Sequence, residues 1–241
     1  KPISLRSPLT ERADVIGFNE IFRRLSRLKL AVYAPLSYIL DSRRKKYEER
    51  YDTAVASGGG TLKQADREIS LQRLMTVNLR KRLESSVDAF RITLGKLQGS
   101  HTDTLSQIEA FRSGGRDTGA VDVSAAFEDS DPDDDDLPDP SDASIGGKVR
   151  IDLADMDLPR WQQELSRDLE LIASLLEEME KVSPADDAKL QRLKAQIDDK
   201  LATPVNAGNR KGLIFTAFAD TADYLYRHLA PALWQQHQLH V

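Results

Sequence analysis

The chain has 241 residues, 40% of them hydrophobic, 30% charged and 6% aromatic, with no cysteine and a formal net charge of −5. That length holds one large domain or two modest ones. The missing cysteines exclude a disulfide framework and cysteine-based zinc sites, and no run of about eighteen apolar residues marks a membrane span.

No signal peptide is expected from the opening Lys1-Pro2-Ile3-Ser4, which is followed by no apolar stretch. A start without Met reads as a trimmed or internal piece of a longer chain, and the missing cysteines fit a cytoplasmic one. The net charge conceals an asymmetry. Residues 1–100 hold 20 Lys+Arg against 11 Asp+Glu, a net of +9, whereas 101–209 hold 11 against 26, a net of −15. A basic half beside an acidic half fits nucleic-acid contact by the first, or simply a solvated helical surface with an acidic loop.

In chain order, residues 14–28 place Val15, Phe18, Ile21, Phe22, Leu25 and Leu28 on one helical stripe. Pro35 predicts a break near Ala34. Asp41-Ser42 opens a helix through Tyr47 and Tyr51 that ends before the loop at Gly58-Gly59-Gly60. Thr61 and Gln64 have the spacing of a capping box. The periodic run from Leu71 to Leu97 predicts one helix over 69–97, about 43 Å long at 1.5 Å per residue. A shorter helix is expected from Thr102 to Arg112, stopped by Gly114-Gly115.

The run from Glu128 to Asp136 is self-repelling and reads as a linker; its spacing lacks the glycine and final Glu of a calcium loop. Asp157-Leu158-Pro159 starts a helix carrying Trp161, Leu165, Leu169, Ile172 and Met179. Ser183-Pro184-Ala185-Asp186 starts the next, through Leu190, Leu193, Ile197 and Leu201, and the pair predicts an antiparallel hairpin. Residues 212–216 form a short apolar run bounded by polar residues, which predicts a buried, parallel strand. Asp220 or Thr221 then caps a helix with Tyr224, Leu225, Leu229 and Leu233. The expected fold is mainly α, of long helices in a bundle and hairpins, closing on an incomplete α/β strand–helix unit.

Two stretches carry a family resemblance. KGLIFTAFADTADYL over 211–225 resembles the opening of the second RecA-like domain in superfamily 2 helicases, the Swi/Snf-type branch in particular. KRLESSVDAF over 81–90 resembles a helix that bacterial members of this group place between their two RecA-like motor domains. Together they cover about 25 of the 241 residues. The resemblance implies a helical region over 1–115, an acidic linker over 116–148, a helical hairpin over 149–208 and the start of the second motor domain over 209–241.

The parts for ATP chemistry are absent from these residues. There is no Gly-x-x-x-x-Gly-Lys-Ser/Thr loop, no Asp-Glu box and no arginine-finger motif, so phosphoryl transfer lacks both positioning and charge stabilisation. The resemblance therefore implies ATP and magnesium for the parent protein, none for this segment, and DNA and the remaining motor domains as partners. A homodimer of the isolated segment is a further expectation, and a non-enzymatic helical interaction module is the alternative. Lys81 and Arg82 are candidate contacts to backbone phosphates, with Ser85 and Ser86 adding hydrogen bonds. The competing reading makes Arg82 a solvent-facing charge and the serines small residues for close helix packing. Thr216 matches a position that family members place near bound nucleic acid. The basic run Arg43 to Lys46 reads as a solvated helix start, with a DNA contact as the alternative, and the trio His228, His237 and His240, near the chain end with no carboxylate expected beside it, does not read as a metal site.

Overall fold

A computed structural model describes residues 5–54, 61–114, 120–122 and 150–241. The expected loop at Gly58–Gly60 and the acidic run at 128–136 lie outside them. The fold is mainly helical, and no helix among the described residues is long and apolar enough to cross a membrane. In order, the helices are α1 (Phe18–Leu25), α2 (Asp41–Tyr51), α3 (Gln64–Ser85), α4 (Val87–Arg112), α5 (Leu158–Glu180), α6 (Ala188–Ala202) and α7 (Ala219–His237). Two short antiparallel ladders join β1 (Thr53–Ala54) to β2 (Thr61–Leu62) and β3 (Ala120–Asp122) to β4 (Arg150–Asp152).

The long helix expected over 69–97 is broken at Ser86, and the shorter one beyond it is absorbed into α4. The apolar period runs straight through the break, which is why periodicity alone misses it. Ser86 ends the ladder of α3 by donating its amide to Arg82 O (3.0 Å) and restarts it by accepting the amide of Ala89 on Oγ (3.0 Å). Thr102, expected to cap a new helix, instead donates its hydroxyl back to Gln98 O (2.8 Å) inside α4. The start of α3 is likewise served from elsewhere, because Asp52 Oδ1 accepts the Gln64 amide (2.9 Å). Ser86→Ala is expected to destabilise the chain by about 1 kcal/mol, the usual cost of a lost N-cap, read as a lower urea midpoint at unchanged slope.

The described residues fall into two compact units. One comprises Leu25–Asn78 and Leu94–Ser174. Its core includes Trp161, Leu165, Leu94, Leu97 and Ile151, all essentially inaccessible. The break predicted near Ala34 appears as two 3-10 turns, Ala31–Tyr33 and Pro35–Tyr38. Before them Leu30 takes a left-handed conformation (φ 50°), unfavourable for a residue with a Cβ. The buried carboxylate of Asp168 holds it there, accepting the amides of Lys29 (2.7 Å) and Ala31 (2.9 Å), while the indole of Trp161 donates to Ala31 O (3.0 Å). On α2, the hydroxyls of Tyr47 and Tyr51 accept the β4 amides of Asp152 and Arg150.

Glu68 in this unit is almost fully buried, and Oε2 accepts the Leu36 amide (3.0 Å) while Oε1 finds no partner. Burial pushes its carboxyl well above the usual 4.5, so the folded chain keeps a proton that the unfolded chain has lost. The resulting stabilisation is complete below about pH 4.5 and declines as pH rises through the raised folded-state value. Glu68→Gln should remove that decline, so urea midpoints of the two proteins measured from about pH 4 to 8 should separate with rising pH in favour of the variant.

The other unit comprises Lys1–Arg24, Leu79–Thr93 and Leu175–Val241. Its N-terminal stretch is strapped down by Ala188 N–H to Leu9 O (3.3 Å), Arg192 to Arg6 O (2.8 Å) and Arg12 to Lys181 O (2.8 Å). Asp187, four residues beyond the expected start at Ser183, caps α6 through the amide of Leu190 (2.9 Å). The apolar stripe expected to close a hairpin with α5 lies on α7: Leu190, Leu193 and Ile197 pack with Tyr224, Leu225, Leu229 and Leu233. The buried strand expected over 212–216 is not formed. Leu213 and Phe215 are 86% and 88% exposed, and no described strand lies beside them to take their backbone hydrogen bonds. The helix expected after it, α7, is present.

Candidate functional site

The two stretches that carry the family resemblance meet in the second of these units. The first ends α3 and opens α4; the second opens α7. Arg82, 5% exposed, points from the last turn of α3 to α7, where Nη1 donates to Asp220 Oδ2 (2.6 Å). Its guanidinium lies over the Phe218 ring, 4.7 Å from the centroid. Thr221 Oγ1 forms hydrogen bonds with both Ser85 Oγ (2.8 Å) and Ser86 Oγ (2.9 Å), so three hydroxyls converge at the helix break. One turn further, Asp88 of α4 pairs with Arg227 of α7 (2.7 Å) and with Arg91 (3.2 Å).

Each polar group here has a sequence reason. Asp220 lies in the first turn of α7, where exposed amides favour an anion. Ser85 and Ser86 sit where α3 stops, and both hydroxyls turn to Thr221. Arginine suits the contact because its planar cation donates to a carboxylate and stacks on a ring at once.

Of the five candidate contacts, Arg82, Ser85 and Ser86 thus join one helix end to another within the chain. The solvent-facing reading of Arg82 does not hold, since its side chain is 6% exposed. Lys81 is exposed on α3. Thr216 is exposed and donates its hydroxyl to Phe218 O (3.0 Å). The structure therefore brings together Arg82, Ser85 and Ser86.

Residues outside the quoted serine and arginine positions complete the arrangement. Lys189 Nζ donates to the carbonyls of Glu84 (2.6 Å) and Ser85 (2.9 Å). Asp187, 3% exposed, accepts the Tyr224 hydroxyl (2.9 Å), and burial together with that carboxylate pushes the Tyr224 hydroxyl above its ordinary value. Neither α6 contact has a local sequence signature, because each links positions far apart in the chain.

The other flagged groups have local partners. In the basic run, Arg43 (3.3 Å) and Lys46 (2.6 Å) pair with Asp155, Arg44 with Asp41 (3.0 Å) and Lys45 with Glu49 (3.7 Å). Lys46 holds the buried Asp155 carboxyl below its usual range. His228 packs on Tyr224, His240 on Trp234, and His237 Nε2 lies 3.0 Å from Asp198. Among the described residues no three His, Cys, Asp or Glu side chains are grouped as a metal site would require. The chain matches no family model, no curated protein and no solved structure.

Proposed function

We propose that this chain is the segment of a cytoplasmic, ATP-driven superfamily 2 DNA helicase or translocase that links its two motor domains, and that it hydrolyses no ATP by itself. The supporting observation is the joint between the two family-like stretches: Arg82 to Asp220, and Ser85 and Ser86 to Thr221. Stretches separated by more than a hundred residues resemble one family and are complementary in charge and hydroxyl placement. In this reading α3 and α4 carry the bridge, α7 carries the start of the second motor domain, and the joint transmits movement between them. ATP and magnesium act in the flanking domains, and the basic first hundred residues face DNA.

Fluorescence anisotropy on a labelled duplex tests the DNA partner. Binding by the chain should weaken steeply between about 50 and about 200 mM salt, because counterions released from phosphates set the dependence. Lys81→Ala should lower the affinity and the salt slope together. Absence of any duplex binding would count against the reading. The second reading, a helical protein-interaction module, draws on the exposed Leu213 and Phe215, and salt-insensitive binding to a protein would favour it.

A further inference from the structure

The first turn of α6 grips the joint from a third side. The last carbonyls of an α-helix have no partner within it and carry partial negative charge. Lys189 supplies a cation to two of them at the end of α3, Glu84 O (2.6 Å) and Ser85 O (2.9 Å). Two residues earlier, Asp187 accepts the hydroxyl of Tyr224 (2.9 Å) from α7 while capping α6 through Leu190. One helical turn therefore holds α3 through a cation and α7 through an anion. Ser85 belongs to both contacts, its carbonyl to Lys189 and its hydroxyl to Thr221. Below that turn, Leu190 packs in the same apolar cluster as Tyr224 and Leu229, so α6 moves with difficulty unless α7 moves too.

We propose that the first turn of α6 is the control element of the α3–α7 joint, with Lys189 as the positioning residue that transmits a displacement of α6 to the Ser85–Thr221 contact. Its consequence for a motor rests on the motor-bridge reading; the coupling itself is a property of this chain. A partner or neighbouring domain that pulls on α6 would loosen the end of α3 and, through Ser85, the first turn of α7.

Amide hydrogen exchange on the full 241-residue chain tests the coupling with Lys189→Met, which keeps an apolar stem and removes the cation. The Ser86 amide, bonded to Arg82 O, reports the end of α3 that Lys189 touches. The Thr221 and Ala222 amides, both bonded to Phe218 O (3.1 and 3.2 Å), report the start of α7, to which Lys189 makes no hydrogen bond. The expected result is exchange faster by about tenfold at both places, the scale of one lost charge-assisted hydrogen bond. Lys189→Arg should restore both. Faster exchange confined to Ser86 makes Lys189 a plain helix cap and overturns the proposal, as does no change at either place. Loss of DNA binding with the coupling intact would instead overturn the motor reading alone.

Discussion

Asp168→Asn should destabilise the chain by about 3 kcal/mol, the largest effect expected of any near-isosteric change in its unit. Asp168 is 1% exposed and each carboxylate oxygen accepts a different backbone amide, on either side of the left-handed Leu30. An asparagine keeps one acceptor and turns an NH2 toward the other amide, so two donors face each other in a buried site. Fully buried His101 lies beside the site, with Nδ1 2.7 Å from Leu97 O and Nε2 3.6 Å from Asp168 Oδ2, too far for a hydrogen bond. Urea unfolding at neutral pH measures the loss. A midpoint within a few tenths of a kcal/mol of wild type would mean that the Leu30 turn is held by its buried neighbours and not by the carboxylate.

Arg82→Met should cost about 2 kcal/mol, because it leaves Asp220 with no guanidinium and removes the stack on Phe218 while keeping most of the apolar volume. The Asp220 side chain is 26% exposed, so water recovers part of its solvation and the full penalty of an orphaned buried charge does not apply. Arg82→Lys should cost less, about 1 kcal/mol, since the charge persists but the planar stack on Phe218 does not. In a double-mutant cycle, adding Asp220→Asn to Arg82→Met should cost far less than Asp220→Asn alone in wild type, giving a coupling of about 1–2 kcal/mol. Additive effects would show that the 2.6 Å contact contributes little.

The helical content was legible because it follows from period and breakers: the stripe through Ile21 and Leu25, the turn at Pro35, the Asp157 cap and the stop at Gly114 all appear. The break at Ser86 was not legible. Its signal lies in two hydroxyls within an unbroken apolar period, and the residue that explains them, Thr221, is 135 positions away. The strand over 212–216 was misread for the converse reason. A short apolar run becomes a strand only when neighbouring strands accept its amides, and pattern alone carries no information on whether they are there. The candidate site is half legible: the sequence marks Arg82, Ser85 and Ser86 as polar groups, but as contacts to nucleic acid. Burial turned them inward, toward Asp220 and Thr221, and Lys189 and Asp187 joined them from a helix that offered no motif.

The decisive measurement for a motor bridge is DNA-stimulated ATP hydrolysis in a chain that carries this segment together with both motor domains. Thr221→Val is the gentlest probe, since it keeps the volume and removes only the hydroxyl that Ser85 and Ser86 share. If α3 and α7 bridge the motor domains, stimulation by duplex falls about fivefold or more in Thr221→Val and in Arg82→Met, with hydrolysis in the absence of DNA little changed. Equal stimulation in wild type and both variants, or no stimulation in the wild type, would contradict it.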